Sequence, residues 1–375
     1  MSEGRSHKTR LIDRRALLGA SAAAGTAALA APALAQDGAT IEWKMVTSWP
    51  KNLPGPGVTA RRIADSIGRM SGGRLRVRLF AAGELVPALG VFDAVSAGTA
   101  QMAHTASFFW QGKIPAAVYF TAIPFGLLPH EHISWIEQGG GQALWDELYA
   151  PFGLKPVMAG NTGVQMGGWY KREITGLDDL RGLKIRMPGL GGEVMRRLGA
   201  TPVSLPPGEL FQALQSGVLD ATEFLGPWSD RAMGFHKVAS SYYSPGFHEP
   251  NGTGEALFNQ VALEGLPEDL RAIVLEACRA ENGRSLAESD WENAGALRLL
   301  QERDGVTVLP YPDDVMTALR ETSAKVLADF ADKDALGRRI HDSQQAALSR
   351  LSPWSDVAMR RFMAARDGER PARRD

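Results

Sequence analysis

Cysteine is almost absent from this chain, since Cys278 is the only one among 375 residues. A single cysteine cannot form an internal disulfide, and a lone thiol has no partners for a zinc site. Cys278 lies in the helical pattern "AIVLEACRAE", and free cysteines in such positions are ordinarily buried and inert. The sequence therefore predicts neither a disulfide scaffold nor a cysteine zinc centre.

An excess of charge is missing as well, because 41 Lys and Arg against 42 Asp and Glu leave a net charge of −1. The basic residues are scattered and no glycine-lysine phosphate loop is present, so we expect no nucleic-acid partner and no ATP site. The G-x-S-x-G, H-E-x-x-H and strand-following G-x-G-x-x-G motifs are also absent, and the seven histidines do not cluster at ligand spacing. We therefore expect a protein that is not an enzyme.

Long apolar runs are missing except near the N-terminus. Residues 16–31 are apolar but consist mainly of Ala, Gly and Ser, which is too short and too weakly hydrophobic for a stable membrane span. They follow a basic stretch ending in Arg14-Arg15 and precede the small-x-small pattern Ala33-Leu34-Ala35. We predict an export signal over residues 1–35, of the twin-arginine type or, alternatively, an ordinary Sec signal. The mature protein would then be soluble and exported, and periplasmic in a Gram-negative cell.

Strand and helix patterns alternate along the first part of the mature chain. Strands are predicted at Thr40–Ser48, Leu75–Ala81 and near Gln101–Thr105, with helices over Gly57–Met70 and up to Ser96 between them. This β-α-β-α-β order predicts an α/β fold with a parallel sheet, in which ligands bind beyond the carboxyl ends of the strands. The length of the chain suggests two domains.

A faint internal repeat supports two similar halves. Phe92–Met102, "FDAVSAGTAQM", and Phe211–Ala221, "FQALQSGVLDA", share Phe, Ala and Gly at an offset of 119 residues. Chance similarity of two helix-stop-strand units is one interpretation. The other is a pair of α/β lobes facing a cleft, lined by the strand ends His104-Thr105 and Glu223-Phe224.

The turn and periodicity signals also predict boundaries. We expect a first lobe over residues 36–160 together with 254–310, and a second lobe over 161–253. Bracing C-terminal helices would follow over 311–366, with a frayed polar tail over 367–375.

A few polar residues lie at predicted strand ends in the second lobe. Arg186 ends the strand "LKIR" just before Pro-Gly, where its planar guanidinium is either a surface group or a two-point clamp for a carboxylate. The glycine-rich stretch Gly160–Tyr170 is predicted to be a strand, on which Val164 and Met166 face the other way from Gln165. Gln165 then points to the cleft, either as a satisfied core amide or as a ligand. Glu223 and Glu249 are individually typical of solvated groups, but with Gln165 they form an oxygen-rich set. Such a set suits Na⁺ or Ca²⁺ rather than a soft transition metal.

Aromatic residues follow the last predicted strand of the first lobe. Phe108-Phe109-Trp110 is explained either by core packing or by an apolar wall against a small ligand.

Several motifs resemble one known family. The stretches are "GELVPAL", "HTASFFWQGK", "AGNTGVQMGGW", "DLRGLKIRMPG", "GELFQALQSGVLDATEFLGP" and "YYSPGFHEP", spread over most of the mature chain. They resemble the solute-binding proteins of TRAP (tripartite ATP-independent periplasmic) transporters, most closely the branch that binds 2-oxo acids and lactate. The resemblance implies a two-lobed periplasmic-binding-protein fold, with crossing strands and long C-terminal helices. It also implies delivery of the ligand to TRAP membrane subunits, and it leaves a homodimer open.

The resemblance further implies roles for individual residues. Arg186 would bind the substrate carboxylate, and Asn161 and the aromatics Phe109 and Trp110 would line the pocket. A cation, Na⁺ or Ca²⁺, would bridge substrate and protein. Its implied ligands are Gln165, Glu223, the main-chain carbonyl of Phe224, and Glu249.

The chain departs from the family pattern at three places. Phe224 stands where Trp is usual, Phe108 and Phe109 lack the hydroxyls of the usual Tyr, and His248 replaces a loop Trp. These changes leave the identity of the acid open. The charges of Glu223, Glu249, Arg186 and a bound carboxylate sum to −2, which favours Ca²⁺ over Na⁺ without excluding Na⁺.

Two alternative functions remain from the sequence. One is an exported hydrolase or lyase that uses Glu223 and Glu249 with a metal. The other is a ligand-binding partner of a sensor.

Overall fold

The computed structural model describes Met1 and residues 39–368. The predicted export signal, apart from Met1, and residues 369–375 of the predicted tail lie outside the described residues. Among the described residues, no helix has both the length and the apolar character needed to cross a bilayer.

Residues 40–368 contain eleven strands and twelve α-helices, with short 3₁₀ turns between them. The strands are β1 Ile41–Thr47, β2 Leu75–Phe80, β3 Met102–Thr105, β4 Leu154–Asn161, β5 Gly168–Tyr170, β6 Lys184–Arg186, β7 Thr201–Val203, β8 Ala221–Thr222, β9 Ser241–Ser244, β10 Thr253–Asn259 and β11 Thr307–Pro310. The helices are α1 Pro56–Met70, α2 Val91–Ser96, α3 Pro129–Gln138, α4 Gly141–Tyr149, α5 Gly189–Arg197, α6 Leu210–Ser216, α7 Pro227–Met233, α8 Gln260–Glu264, α9 Glu268–Glu302, α10 Asp313–Ala331, α11 Ala335–Ser355 and α12 Arg361–Arg366.

The first sheet has the strand order β2-β1-β3-β10-β4. Its strands β1, β2 and β3 are parallel, as the β-α-β-α-β pattern predicted, and β10 runs antiparallel between β3 and β4. In β1, Trp43 and Met45 are buried while Glu42 and Lys44 are exposed, which is the alternation of a strand covered on one face. Helices α1 and α9 cover this face with a core around Ile63, since Ile63, Ile67, Val274 and Cys278 are all fully buried. The expected burial of the Cys278 thiol is thus confirmed, and burial raises its pKa.

The second sheet has the order β11-β9-β5-β8-β6-β7. The lobe boundaries stay a prediction, with one correction: Thr307–Pro310 was predicted in the first lobe but lies in the second sheet. This strand pairs in parallel with Ser241–Ser244 in the second sheet, although residues up to 310 were assigned to the first lobe. The reason is that the chain returns to the second sheet after the 35-residue helix α9, and sequence patterns do not reveal such long-range pairing.

The two repeat segments have the same local structure. Each is a short helix, α2 or α6, followed by a glycine in the left-handed region and an interior strand, β3 or β8. The glycines are Gly98 with φ +75° and Gly217 with φ +81°, a conformation that a side chain would strain. The repeat therefore places a strand end in the middle of each sheet.

Two connections cross between the sheets. Residues 162–167 lead from β4 to β5, and residues 245–252 lead from β9 to β10; we call them the crossing connections. They lie side by side, because Thr162 N–H donates to Gly252 O at 3.0 Å. Helix α9 packs against β4 of the first sheet and α7 of the second. The expected two-lobed α/β fold with crossing strands and long C-terminal helices is thus confirmed.

Candidate functional site

A cavity of about 550 Å³, counting the space at its mouth, lies where the two sheets face each other. Residues that follow β1 and β3 form one wall, and residues of the second sheet and the crossing connections form the other. The lining residues used below are Trp49, His104, Phe108, Phe109, Thr121, Asn161, Gln165, Arg186, Phe224 and Glu249. Both predicted strand ends therefore reach the same cavity, as the repeat suggested.

Arg186 is the last residue of β6, and only 2% of its side chain is exposed. Its Nη1 donates to Glu223 Oε1 at 2.5 Å and to the Glu223 main-chain oxygen at 3.1 Å, and its Nε donates to Leu205 O at 3.3 Å. Within the described residues, Nη2 makes no hydrogen bond. The arginine is therefore held rigidly by the protein on two nitrogens, with Nη2 left for a ligand in place of the full two-point clamp expected from the sequence.

Glu223 and Glu249 are both buried and close together. Glu223, directly after β8, is fully buried and accepts from Arg186 on Oε1 and from His248 Nε2 on Oε2 at 3.0 Å. Glu249 lies in the second crossing connection and is 5% exposed. Burial raises the pKa of Glu249 well above its usual value, the negative charge of Glu223 adds to this, and Arg186 opposes it. The single positive charge of Arg186 thus lies beside two buried carboxyl groups, and a bound cation would neutralise the negative charge that remains.

Gln165 corrects one prediction made from the sequence. The sequence predicts one strand through the glycine-rich stretch, but β4 ends at Asn161, residues 162–167 form a connection, and β5 begins at Gly168. Gly168 has φ +115°, and a Cβ there would come 2.8 Å from Thr222 O, so the chain can pair closely with β8 only at glycine. Gln165 nevertheless points inward at 2% exposure, while Val164 is 50% exposed.

The amide of Gln165 is only half satisfied. Its Nε2 donates to Thr162 Oγ1 at 2.9 Å, whereas its buried Oε1 accepts no hydrogen bond from the part of the chain that the structure describes. Buried carbonyl oxygens without a partner are rare, and amide oxygens are common ligands of hard cations. An orphaned oxygen of this kind fits a ligand of a hard cation.

Main-chain hydrogen bonds tie the segments that carry these residues. Gln165 N–H donates to Glu249 O at 3.3 Å, and Gly246 N–H donates to Gln165 O at 3.0 Å. Met166 N–H donates to Leu225 O at 3.1 Å. These bonds hold the three segments in fixed positions with respect to one another.

A buried carboxyl, Asp230 in α7, anchors the segment after Glu223. Its Oδ1 accepts from Leu225 N–H at 3.1 Å, and its Oδ2 accepts from Trp169 Nε1 at 2.9 Å and Tyr242 OH at 2.7 Å. Burial raises the pKa of Asp230 to about 7, against the hydrogen bonds, which lower it. Phe224, whose side chain lines the cavity, is positioned between this anchor and Glu223.

The remaining predicted pocket residues have different fates. Asn161 lines the cavity, but its amide is occupied: Nδ2 donates to Asn251 Oδ1 at 2.8 Å and Oδ1 accepts from Gly163 N–H at 2.9 Å. Phe109 lines the cavity next to Phe108, as predicted. Trp110 does not line it, because its ring packs into the core against Phe92 and its Nε1 donates to Glu255 Oε2 at 3.1 Å.

Sequence reasoning missed Trp49, which follows β1 and packs against Phe109 with ring centroids 6.0 Å apart. Its Nε1 donates to His104 Nδ1 at 2.8 Å, and His104 Nε2 donates to Ala159 O at 3.1 Å. Burial lowers the pKa of His104 to about 4, so the imidazole is neutral and fixed as the Nε2–H tautomer. The rule that ligands bind at strand ends could have identified Trp49.

His248 was noted only as a departure from a family pattern, yet it belongs to the site. One ligand atom from each of Glu223, His248 and Glu249 lies within 4.8 Å of the others. The buried cluster, with the orphaned Gln165 oxygen beside it, fits a bound cation.

Comparisons with known proteins identify the family of this chain. The family model DctP, bacterial extracellular solute-binding protein, family 7, matches residues 46–334. A monocarboxylate 2-oxoacid-binding periplasmic protein of Nostoc sp. (strain PCC 7120) is 41% identical over 318 residues, covering 84% of this chain and 86% of that protein.

Two solved structures are also similar. A TRAP transporter solute-binding protein from Bordetella bronchiseptica RB50 has a TM-score of 0.86 at 36% identity, covering 88% of this chain and 98% of that one; it is a mixed-occupancy dimer with copurified calcium and picolinate in one site. A TRAP periplasmic solute-binding protein from Pseudoalteromonas atlantica T6c with bound sodium and pyruvate has a TM-score of 0.84 at 38% identity, covering 86% of this chain and 98% of that one.

The match extends over most of the chain and concerns proteins that bind solutes for transport, not catalysts. The expectation that the chain is not an enzyme is thereby confirmed, and a hydrolase or lyase is set aside. The chain belongs to the DctP family of bacterial extracellular solute-binding proteins.

Proposed function

We propose that this protein captures a small 2-oxo or 2-hydroxy monocarboxylate, such as pyruvate or lactate, in the periplasm and delivers it to TRAP membrane subunits. The observation that carries the proposal is the buried set of Arg186, Glu223, Glu249 and Gln165 at one small cavity, which Arg186, Gln165 and Glu249 line. Among the described residues, Gln165 Oε1 and Arg186 Nη2 have no hydrogen-bond partner. Relatives that bind a 2-oxoacid, or pyruvate with sodium, support the same ligand class.

In this proposal Arg186 holds one end of the ligand. Its Nη2 donates to the substrate carboxylate, while Nη1 and Nε remain on Glu223 and Leu205. A charged hydrogen bond of this kind, fixed before binding, loses little side-chain entropy. The aromatic wall of Trp49, Phe108 and Phe109 faces the apolar end of the ligand, and Asn161 shapes the cavity.

The cation holds the other end. Gln165 Oε1, Glu223, Glu249 and the main-chain carbonyl of Phe224 would be its ligands, and it would polarise and orient the 2-oxygen of the substrate. With the substrate bound, the two glutamates, the arginine and the carboxylate carry −2 in total. Ca²⁺ cancels this charge and Na⁺ leaves −1, so we favour Ca²⁺ while the oxygen set accepts both.

The location of these ligands suggests how binding closes the protein. Gln165 and Glu249 belong to the two crossing connections, Glu223 to the second sheet, and Trp49 to the first. We propose that the predicted lobes, residues 36–160 with 254–310 and residues 161–253, close over the ligand by a hinge at the crossing connections. A ligand that contacts both sides stabilises the closed form by its differential affinity.

A thermal-shift and calorimetry panel tests the proposal. Chelator-treated protein is mixed with pyruvate, lactate, 2-oxoglutarate and succinate, each with Ca²⁺, with Na⁺, or with neither. We expect pyruvate or lactate to raise the unfolding midpoint strongly only when a cation is present, because binding to the folded state stabilises it. Equal shifts without any cation, or a preference for the dicarboxylates, would contradict the proposed ligand and site.

A further inference from the structure

His248 gives the cation site a donor of a different kind. Its side chain is 2% exposed, and its Nε2 lies 3.0 Å from Glu223 Oε2. Its Nδ1 is buried and has no hydrogen-bond partner among residues 39–368. A ligand atom of this ring, one of Glu223 and one of Glu249 all lie within 4.8 Å of one another. The imidazole is therefore part of the polar cluster and is not a core residue satisfied by its neighbours.

The ring has one nitrogen free for coordination. Nε2 donates to Glu223 Oε2 at 3.0 Å and so carries the proton, which leaves the lone pair of the buried Nδ1 without a partner among the described residues. Metal-binding histidines commonly have this arrangement, with one nitrogen on the ion and the other N–H on a carboxylate. The buried Gln165 Oε1, also without a partner in the described residues, is a second unsatisfied polar atom in the crossing connections.

We propose that His248 coordinates the cation through a ring nitrogen and so extends the site to borderline divalent ions such as Mn²⁺, Co²⁺ and Zn²⁺. This inference rests on the cation site of the proposed function. Oxygen ligands alone favour Ca²⁺ and Na⁺, whereas imidazole nitrogen is a common ligand of transition ions and a poor one for Ca²⁺. A mixed set of one nitrogen and several oxygens therefore raises the affinity for transition ions more than the affinity for Ca²⁺. The earlier expectation, which excluded soft transition metals, considered oxygen ligands only.

The consequence is a specificity role for His248. In an all-oxygen site the ion is chosen by charge and size, but here a transition ion could compete with Ca²⁺ for the bridge to the same carboxylate substrate. Affinity in such sites generally rises from Mn²⁺ to Co²⁺. Because that order holds for oxygen sites as well, the loss of Co²⁺ affinity relative to Ca²⁺ affinity when the ring is removed reports whether nitrogen takes part.

The test titrates chelator-treated full-length protein with Co²⁺, Mn²⁺ and Ca²⁺ in separate calorimetry experiments, for the wild type and for His248→Gln. The glutamine can still donate to Glu223 but offers oxygen in place of the ring nitrogen. We expect His248→Gln to weaken Co²⁺ binding about 10–100-fold and Ca²⁺ binding by no more than about threefold. Equal losses for both ions, or no loss for Co²⁺, would overturn the proposal.

A spectroscopic measurement on the wild type covers the case in which the variant does not fold. Pulsed electron paramagnetic resonance of the Mn²⁺-loaded protein should show coupling to a directly bound imidazole ¹⁴N, which changes on ¹⁵N-histidine labelling. Absence of that coupling also overturns the proposal. Pyruvate binding in the presence of Ca²⁺ is measured on the same protein preparation. If pyruvate binds but no nitrogen coupling is seen, only the proposed role of His248 fails. If pyruvate binds with none of the ions, the proposed function fails.

Discussion

At the scale of single residues, Arg186 has two tasks that a sequence cannot separate. Its Nη1 and Nε donate to Glu223 and Leu205, Nη2 makes no hydrogen bond within the described chain, and the residue lines the cavity. Residue type and strand-end position leave Arg186 as either a surface group or a carboxylate clamp, and the family resemblance implies the clamp. The structure excludes the surface group, since the side chain is only 2% exposed. The buried partner Glu223 could not be predicted from the strand, because β6 and β8 meet only in the folded sheet.

Replacing Arg186 by lysine should separate these tasks. Arg186→Lys keeps a positive charge beside Glu223 but loses the planar fork, so we expect pyruvate affinity at fixed Ca²⁺ to fall about 10–100-fold, the value of one charged hydrogen bond. Arg186→Ala also leaves the buried Glu223 carboxylate without its positive partner, which should lower the free energy of unfolding by about 3–5 kcal/mol. Calorimetry measures both. As a matched control, Arg197→Lys changes an arginine paired with Glu193 and Asp329 at the surface, and it should bind normally.

Gln165 permits a second test at this scale. Gln165→Leu removes the orphaned oxygen, and we expect Ca²⁺ affinity to fall by at least about tenfold. The control is Thr162→Val, which removes the hydrogen-bond partner of Nε2 but leaves Oε1 in place. Terbium luminescence or calorimetry with Ca²⁺ gives the affinities. If both variants lose the same affinity, the loss reflects the shape of the connection, and Gln165 is not a ligand.

At the scale of elements, the sequence predicts the helices and strands that are long enough to show a periodic pattern of apolar residues, and it misses the shortest strands. β1, β2 and α1 have residues enough to display alternation or a helical stripe, and their predicted bounds agree with the structure within two residues. β8 has two residues and β5 has three, which is below the length at which alternation can be seen. The sequence therefore predicts a continuous strand around Gln165, where the structure has a connection between two strands. Its inward side chain was still predicted, since inward and outward residues alternate briefly there.

The contact between the crossing connections leads to a prediction about Gly246. A Cβ at this position would lie 2.4 Å from Gln165 O and 2.7 Å from its carbonyl carbon, both main-chain atoms that cannot turn away. Gly246→Ala must therefore push the two connections apart. We expect the free energy of unfolding to fall by about 1–3 kcal/mol and Ca²⁺ binding to weaken. Urea unfolding and calorimetry measure the two effects.

Gly283 in α9 provides the matched control for Gly246. A Cβ there meets no atom within 4 Å, so Gly283→Ala should raise the free energy of unfolding by about 0.5–1 kcal/mol and leave Ca²⁺ binding unchanged. If Gly246→Ala binds Ca²⁺ as the wild type does, the crossing connections do not position the cation ligands.

At the scale of the whole molecule, stability should depend on pH through a buried carboxyl outside the cavity. Glu255 on β10 is fully buried, and Trp110 Nε1 donates to it. Burial raises the pKa of Glu255 from 4.5 to about 7, although Trp110, Tyr149, Ser107 and Trp145 around it lower it. The folded protein thus keeps a proton on Glu255 that the unfolded chain releases above about pH 4.5. The contribution of Glu255 to the free energy of unfolding is therefore fully present below about pH 4.5 and is lost as pH rises through about 7.

Glu255→Gln isolates this effect, because the amide stays neutral and similar in shape at every pH. A pKa difference of about 2.5 units corresponds to about 3 kcal/mol. The free energy of unfolding of Glu255→Gln, relative to the wild type, should therefore rise by up to about 3 kcal/mol between pH 4.5 and 8. Urea unfolding of ligand-free protein measures this difference in the free energy of unfolding. Asp230 is present in both proteins, so its contribution to the pH dependence drops out of the difference. The exposed Glu292→Gln should follow the wild type at every pH. A Glu255→Gln curve parallel to the wild type would mean that Glu255 ionises normally in the fold.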